Sequence, residues 1–509
     1  MIAHSLRPEQ VSAACQPLRR WGFGLTLRSI ALLLAGFLWL VPGFWYEPMS
    51  YAMLAWDALV LLAAFLDGRR LPAPAQLTAT RSWSSAPALD SETEIELTLE
   101  NLSGVIVECR IDDDLPPQLA VEIPPQRLTA FPRVPASVRY RVQPQERGDW
   151  SAGWLYVRYR SPLGLVERWA KAPLTQAVRV YPALCTSEEQ QIFLARSRQI
   201  DLQLRRAQQR GLGRDFESLR EYRPGDDLRD ICWTATARRG SPITRQYQTE
   251  RSQPVWIVLD CGRLMRSRVA AAPPAQRASA VKGAGFSPYT DQAQSSGALA
   301  PEGRFLGGPD EVQPAPAKPA QVHSKLDHAC STAVALAQLA LYSGDRVGLL
   351  AYGQHIQQRV LPGRGSAHLR QLIDALAQVR TESAEADHLR ATAMLNRLQP
   401  RRSLILWITD LAESAMRPEV MDGAAQLLRR HVLLFVAMAQ PEVEAIAQAR
   451  PKNVEQMFRA TAAQEMAARR ELLLARMHEQ GALTLDLHPE ALTSTVLNQY
   501  LQVKERAMV

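Results

Sequence analysis

Two aspartates stand directly after apolar runs that the sequence predicts to be buried strands. Asp260 follows the run VWIVL, and Asp410 follows LILWIT. Because the carboxyl ends of parallel strands meet at one edge of a sheet, we expect the two carboxylates to lie close together. Ser366, in LPGRGS before a predicted helix, is the natural third oxygen donor. Mg²⁺ prefers carboxylate, hydroxyl and water oxygens, so these three residues predict a magnesium site.

The same three side chains also have a purely structural interpretation. Asp260 and Asp410 can cap helix N-termini, where a carboxylate accepts backbone N–H groups and meets the positive end of the helix dipole. Ser366 can serve as an N-cap in the same way. The residue types alone favour neither interpretation decisively, and both stay open at the level of the sequence.

The rest of the chain offers little catalytic chemistry. It has no Gly-x-x-x-x-Gly-Lys-Ser/Thr loop, no Gly-x-Ser-x-Gly elbow and no His-Glu-x-x-His motif. The six cysteines are widely spaced and form no Cys-x-x-Cys pair, which argues against a zinc site and against a disulfide framework. We therefore predict a protein that is not an enzyme and has no cofactor, apart from the possible Mg²⁺.

The length and the net charge of the chain restrict its possible functions further. A chain of 509 residues is too long for one ordinary core and predicts two or three domains. The net charge of +8 comes almost wholly from arginines, many of them beside Asp or Glu. No nucleic-acid recognition motif accompanies that charge, so we do not expect a nucleic-acid partner. We attribute the charge to composition and to arginines that flank membrane segments.

Two apolar runs near the N-terminus predict a membrane hairpin. They are LTLRSIALLLAGFLWLV at 25–41 and MSYAMLAWDALVLLAAFL at 49–66, and each with its flanks approaches the roughly 20 residues of a membrane-spanning helix. The turn between them has several aromatic residues but no Lys or Arg. Arginines flank the pair instead, at positions 19, 20, 28, 69 and 70. The positive-inside rule therefore places both ends and the bulk of the chain in the cytoplasm.

One ionisable residue, Asp57, lies within the second apolar run. A carboxyl group is costly inside a bilayer and often marks a functional contact. We expect either a contact with a partner in the membrane or a tilted helix that carries the group towards water.

Periodicity divides the rest of the chain. Short alternating runs between Pro, Gly and Asn residues predict antiparallel strands, and near-continuous apolar runs alternating with amphipathic helices predict a parallel sheet covered on both faces. A tract rich in Ala, Pro, Gly and Ser interrupts the second region as a flexible insertion. The predicted segments are a cytoplasmic N-terminus (1–24), the two-helix transmembrane hairpin (25–70), a β-sandwich-like domain (77–183), a charged connector (186–250) and an α/β doubly wound domain (251–509) with the insertion at 267–325.

The segment 213–260, which we call the clasp, is rich in alternating acidic and basic residues. Its Pro224-Gly225 turn precedes Asp226 and Asp227, which we expect to begin a helix that Gly240 ends. The clasp is either a salt-bridged connection between the two domains or a docking surface for a partner.

The clasp also carries a recognisable pattern. Its spacing resembles the signature of the bacterial family of proteins with "domain of unknown function fifty-eight", and the RG pair at 147–148 and SPLGL at 161–165 fit the same family. The signature residues that we predict to mediate interactions are Asp215, Arg220, Tyr222, Arg223, Pro224, Gly225, Asp226, Asp227, Arg229 and Trp233.

The resemblance implies several properties. It implies an anchor in the bacterial inner membrane, a von Willebrand factor A-like domain and a MoxR-type AAA+ ATPase as partner. Von Willebrand factor A domains hold metal with Asp-x-Ser-x-Ser at the first strand end, but here Gly262 and Leu264 replace both serines. The resemblance therefore implies a degenerate metal site.

The function predicted from the sequence is that of a non-enzymatic, membrane-anchored adaptor or assembly factor. It would work with a MoxR-type ATPase on membrane or envelope clients. Two alternatives stay open: a metal-dependent protein-binding module with Mg²⁺ at Asp260, Ser366 and Asp410, and a hydrolase that uses Asp226 and Asp227.

Overall fold

Antiparallel strands form the first folded unit of the protein. The computed structural model describes residues 7–18, 23–39, 48–120, 123–183, 215–223, 231–248, 253–270, 322–411 and 419–506. The strands of the first unit are β1 (Val11–Ala14), β2 (Gln16–Pro17), β3 (Phe23–Leu25), β4 (Leu77–Trp83), β5 (Thr93–Asn101), β6 (Val107–Asp113), β7 (Gln126–Ala130), β8 (Ala136–Val142), β9 (Gly148–Ala152), β10 (Leu155–Arg160), β11 (Val166–Ala172) and β12 (Gln176–Val180).

Two larger sheets of this β domain share one core. One has the order β1-β4-β5-β8, and the other has β2-β11-β10-β6-β7 with β3 also on β11. Residues of β4, β5, β6 and β10 alternate between buried and more exposed, as expected when one face of a sheet packs on the core and the other meets water. Large buried side chains such as Trp83, Ile95 and Tyr159 fill the space between them.

The N-terminal residues belong to this domain. The segment 1–24 was expected to be a separate cytoplasmic N-terminus, but β1 pairs with β4, and β2 and β3 pair with β11. Strands of two to four residues have too little periodicity to be recognised locally. Only their distant partners, about 65 to 150 residues along the chain, give them a strand conformation.

Two apolar helices leave the β domain between β3 and β4. They are α1 (Leu27–Gly36) and α2 (Pro48–Arg70). Among the described residues, Tyr51–Arg70 is the one helical stretch long and apolar enough to cross a membrane, with mean hydropathy 1.5, while α1 is a shorter apolar helix. The helices contact each other closely, since a Cβ on Gly36 would lie 2.5 Å from an Asp57 carboxylate oxygen. Trp56 Nε1 donates to the carbonyl of Leu32 at 2.9 Å.

Asp67 fixes the end of α2 to the β domain. Its buried carboxylate accepts a hydrogen bond from the Ser161 hydroxyl, and from the backbone N–H groups of Leu163 at 3.3 Å and Leu165 at 3.2 Å. These donors belong to the SPLGL turn between β10 and β11. The start of α1 contacts the same turn, because Thr26 Oγ1 donates to the carbonyl of Gly164 at 2.6 Å. Both apolar helices are therefore held at one place on the β domain.

The remaining elements form a small hairpin and an α/β domain. The strands are β13 (Asp215–Glu221), β14 (Ile243–Gln248), β15 (Pro254–Asp260), β16 (Arg268–Ala270), β17 (Val322–Ser324), β18 (Arg346–Tyr352), β19 (Ile356–Gly363), β20 (Leu404–Thr409), β21 (Val432–Met438) and β22 (Leu483–Leu487). The helices are α3 (Trp233–Arg239), α4 (Lys325–Tyr342), α5 (Gly365–Gln378), α6 (His388–Leu398), α7 (Glu419–Leu428), α8 (Pro441–Gln448), α9 (Val454–Glu479) and α10 (Leu492–Glu505).

The α/β domain is built on one six-stranded sheet. Its order is β19-β18-β15-β20-β21-β22, and all neighbours are parallel except β19, which is antiparallel to β18. Alternate residues of β15 enter two different cores: Val255 and Ile257 pack with α4, α5 and α10, while Trp256 and Val258 pack with α6, α7 and α9. Helices therefore cover both faces, which explains why these strands are apolar throughout.

The apolar strand runs and most helices were expected from the sequence, but β19 and α8 were not. The residues of β19 are IQQRVLPG, an edge strand with one buried side chain, Val360. An edge strand with few apolar residues has no periodicity that separates it from a loop. The ends of the predicted flexible insertion are ordered as strands, since β16 and β17 pair with each other there. Residues 271–321 lie outside the described residues.

A buried arginine joins the two domains. Arg147, at the start of β9, inserts its guanidinium into the α/β domain, where Nε donates to Asp327 at 2.7 Å and Nη1 to the carbonyl of Leu376 at 2.6 Å. Its side chain is 4% exposed. Tyr181 adds a hydrogen bond to Asp374 at 3.2 Å. The RG pair at 147–148 is thus a structural contact between domains.

We expect Arg147→Met to destabilise the full-length protein by about 3–5 kcal/mol, because it leaves the Asp327 carboxylate without its buried partner. Thermal unfolding of the detergent-solubilised protein measures the loss. Arg139→Met is the matched control, since Arg139 is 67% exposed and pairs with Glu96 on the surface of the same domain. Such a pair contributes about 0–1 kcal/mol. Equal effects of the two substitutions would contradict the role of Arg147.

Candidate functional site

The two predicted aspartates do lie at one edge of the sheet. Asp260 is the last residue of β15, and Asp410 directly follows the neighbouring strand β20. The strands are parallel, with Leu259 opposite Ile408, so both carboxylates emerge at the carboxyl edge. Both are buried, with 4% and 0% of their surface exposed. This edge is the candidate functional site.

Protein donors occupy the Asp260 carboxylate. The backbone N–H of Gly262 donates to Oδ1 at 2.7 Å, and Thr409 Oγ1 donates to Oδ2 at 2.6 Å. Burial raises the pKa of Asp260 from its ordinary 3.8 to about 6, and the nearby Asp410 raises it too, although the two hydrogen bonds act in the opposite direction. Asp260 is thus a buried structural acceptor at the end of its strand.

A buried lysine neutralises the second aspartate. Lys325 Nζ lies 2.6 Å from Asp410 Oδ2, and the Lys325 side chain is 3% exposed. Gln440 Nε2 donates to both carboxylate oxygens at 3.0 and 3.2 Å, and Arg470 lies 3.7 Å away. Lys325 is the first residue of α4, where the helix dipole disfavours a cation. The Asp410 carboxylate therefore supplies the attraction that holds the ammonium there.

These residues do not fit a bound Mg²⁺ ion. The Lys325 ammonium already takes the position of a cation beside Asp410, and a second cation there would be repelled. A serine at Gly262 would not fit either, because its Cβ would lie 2.9 Å from the backbone nitrogen of Ala386. Among the described residues, no group of three or more His, Cys, Asp or Glu is arranged to hold a metal.

The third predicted ligand, Ser366, lies at the other edge of the sheet. It is an exposed residue in the first turn of α5, directly after β19. Since β19 is antiparallel to β18, its final residue Gly363 pairs with Val347 at the amino end of β18, whereas Asp260 pairs with Tyr352 at the carboxyl end. The structure therefore does not bring Ser366 to the two aspartates, and the missed antiparallel strand is the reason.

The side chains that complete the edge were not identified from the sequence. The sequence did contain a signal for Thr409, because this hydroxyl directly precedes Asp410 at the end of a predicted strand. Lys325, Gln440 and Arg470 had none, since they come from the start of α4, the residue before α8 and the middle of α9. Only the fold brings them to Asp410.

Part of the clasp forms a separate small sheet. Among the described residues, β13 pairs in a ladder only with β14, with an irregularity between Phe216 and Ser218, and Ile231 forms an isolated bridge to Thr244. The helix α3 begins at Trp233, later than the expected start after Asp226 and Asp227. Its end is as expected, with Gly240 in the left-handed conformation at φ 71°.

The signature residues are only partly described. Asp215 lies in β13 opposite Gln248. Arg220 and Arg223 flank Tyr222, whose backbone N–H donates to the carbonyl of Pro242 at 2.9 Å. Trp233 is 70% exposed. Pro224, Gly225, Asp226, Asp227 and Arg229 lie outside the described residues, so the predicted turn and the hydrolase alternative stay untested.

Comparisons with known proteins support one family. The model described as "Protein of unknown function DUF58" matches residues 218–282 and 314–466, beginning inside the clasp. This match supports the family that the signature indicates. No curated protein matches the chain significantly. A crystal structure of the conserved hypothetical protein BatB from Bacteroides thetaiotaomicron covers 50% of this chain and 98% of its own, at 12% identity. Its TM-score is 0.25, too low to carry an argument.

We expect Lys325→Met to destabilise the protein by about 3–5 kcal/mol, because the Asp410 carboxylate then stays buried without its main partner. The double variant Lys325→Met, Asp410→Leu is expected to recover most of that loss, since apolar residues often replace a buried ion pair at little cost. Thermal unfolding of the wild type, the two single variants Lys325→Met and Asp410→Leu, and the double variant measures the coupling free energy between the two side chains. Additive losses in the double variant would show that the two side chains do not depend on each other.

The raised pKa of Asp260 predicts a pH dependence. The folded state holds the Asp260 proton more tightly than the unfolded chain, so this residue stabilises the fold below pH 4 and loses that effect as pH rises to about 6. The difference amounts to roughly 3 kcal/mol. We expect Asp260→Asn to remove this decline, as seen by comparing unfolding free energies of variant and wild type from pH 4 to 7. Parallel curves would contradict the assignment.

Proposed function

We propose that this protein is a non-enzymatic adaptor that is anchored in the bacterial inner membrane and presents a docking surface to a cytoplasmic MoxR-type AAA+ ATPase. The observation that carries the proposal is the two-stranded sheet of the clasp with its exposed Trp233. An isolated pair of strands is only marginally stable in water. A partner that packs against it would bury further surface and stabilise it.

Trp233 has the properties of an interface anchor. Tryptophan is enriched among the few residues that dominate binding energies, and here it begins a short helix whose last turn carries two basic residues, Arg238 and Arg239. Leu219 of β13 adds an exposed apolar side chain, with 42% of its surface accessible. Exposed apolar side chains and basic side chains on one small unit match the usual composition of protein interfaces.

Anchoring is the second part of the proposal. We infer that α1 and α2 belong to a two-span hairpin with both ends and the bulk of the chain in the cytoplasm. The flanking arginines support this orientation, and so does the attachment of both helices to the SPLGL turn through Thr26 and Asp67. Asp67 and Arg147 together link the anchor to the α/β domain through buried contacts. A displacement of the α/β domain would thus reach the membrane helices.

We further propose that the α/β domain is of the doubly wound, von Willebrand factor A-like type, used without its metal. The six-stranded sheet with helices on both faces supports this. A metal-dependent binding module is disfavoured because Lys325 neutralises Asp410 and Ser366 lies at the far edge. Burial raises the pKa of Cys330 to about 11, which disfavours this thiol as a nucleophile.

The test is co-purification with a defined ATPase. Tagged full-length protein is co-expressed with a MoxR-type AAA+ ATPase, solubilised in detergent and captured with and without nucleotide. We expect the wild type to retain the ATPase and Trp233→Ser to lower the affinity about 30-fold, as for an interface anchor of about 2 kcal/mol. Phe458→Ser is the control, because Phe458 is similarly exposed, at 68%, but lies on α9. Failure of the wild type to retain the ATPase, or equal losses in both variants, would contradict the proposal.

A further inference from the structure

Three arginines stand side by side on the outer face of the β domain. Arg110 of β6 is directly opposite Arg127 of β7 on one side and Arg158 of β10 on the other. We call these three residues the arginine row. Adjacent strands are about 4.8 Å apart, so three cations share one row of the sheet. Like charges directly opposite each other destabilise a sheet, and an anion bound to such a row would offset that repulsion.

Carboxylates of the protein neutralise only part of the positive charge of the arginine row. Glu167 accepts from Arg158 Nη2 at 2.5 and 2.7 Å and lies 3.8 Å from Arg160. Neither Arg110 nor Arg127 has a carboxylate within ion-pair distance among the described residues. Both are exposed to solvent. The positive charge at one end of the row is thus open to a ligand from outside.

The row lines a groove with the chemistry of an anion site. The groove has a volume of about 390 Å³, and its lining includes Arg110, Arg127, Arg158 and Arg160 together with Thr129 and Glu108. The guanidinium group presents paired N–H donors that match the oxygens of a phosphate group in a bidentate manner. The charge excess of the groove and this geometry favour a phosphate-type anion over a neutral ligand.

The groove lies close to the apolar helices. Arg160 is followed directly by Ser161, whose hydroxyl donates to Asp67 near the end of α2. Arg158 of β10 is three residues before Ser161, which follows the end of the strand, and this separation corresponds to about 10 Å. That distance is about one Debye length at physiological ionic strength. Trp169 of β11 lies opposite Arg158 in the same row of the sheet, and tryptophan is enriched at membrane interfaces.

We infer that the arginine row binds the phosphate-containing headgroups of anionic phospholipids at the surface of the membrane that holds the anchor. This inference rests on the anchoring part of the proposed function and is independent of the ATPase. The headgroups complete the charge that Glu167 neutralises only in part. Bound lipid would fix the orientation of the β domain against the membrane, and with it the position of the α/β domain that Arg147 attaches.

Lipid binding by the full-length protein in non-ionic detergent tests the inference. Phosphatidylglycerol or phosphatidylcholine is titrated into the micelles, and bound lipid is counted by native mass spectrometry. The variant Arg110→Gln, Arg127→Gln is compared with Arg139→Gln, Arg141→Gln, which removes the same charge from exposed arginines on β8 of the opposite sheet. Each arginine at a membrane surface contributes about fivefold in affinity. We therefore expect about 25-fold weaker phosphatidylglycerol binding in the first variant and little change in the second.

Two further measurements identify the ligand and control for misfolding of the variants. Inorganic phosphate is titrated alone, and tighter binding of phosphate than of phosphatidylglycerol would overturn the assignment to lipid, as would equal lipid binding by the two variants. Thermal unfolding without lipid is expected to show the first variant at least as stable as the wild type, because the substitutions relieve like-charge repulsion. Loss of stability there would contradict the account of the row as an uncompensated cluster.

Failure of this proposal is distinguishable from failure of the proposed function. If the anchor does not enter membranes, the wild type is recovered without detergent before any lipid is added. If the ATPase is not the partner, the co-purification fails while the lipid preference remains. Membrane-bound wild type without a preference for the anionic lipid contradicts the lipid inference alone.

Discussion

The ion pair between Lys325 and Asp410 determines what the carboxyl edge of the α/β sheet can do. An aspartate buried at the end of a central parallel strand needs hydrogen-bond donors or a positive partner, and a positive partner can be a metal ion, a proton or a basic side chain. In this protein the partner is an ammonium 2.6 Å away. The Asp410 carboxylate is therefore neutralised by a side chain of the protein itself and does not need a metal ion.

Groups of the protein engage both carboxylates of this edge, and this affects which ligands the edge can bind. Asp260 is held by Gly262 and Thr409, and the close approach of Gly262 to Ala386 leaves no space for a side chain at that position. A site that binds an exchangeable ligand keeps some donors or acceptors free, whereas here both carboxylates accept hydrogen bonds from the protein. Arg147 connects the α/β domain to the β domain, and Asp67 connects the β domain to the apolar helices.

The sequence could predict those parts of the fold whose signal is local. The central strands such as β15 and β21 are almost wholly apolar because helices cover both of their faces, so their runs were identified with their ends nearly correct. β19 was missed because an edge strand with a single buried residue has no comparable pattern. That one omission moved Ser366 to the wrong edge of the sheet. Similarly, Lys325 lies 85 residues from Asp410 along the chain, and no local pattern could pair them.

Arginine shows most clearly why composition alone could not assign function. The net charge of +8 was attributed to composition and to the flanks of membrane segments. Individual arginines nevertheless have different structural roles. Arg81 is fully buried and pairs with Asp113 in the core of the β domain, and Arg147 joins two domains. Arg110, one strand position removed from the buried Cys109, points to solvent instead. The alternation of a strand decides which role each residue takes, because a shift of one position exchanges the core for the surface. Once β6, β7 and β10 are in register, the exposed arginines fall into one row, and part of the basic charge becomes a defined surface.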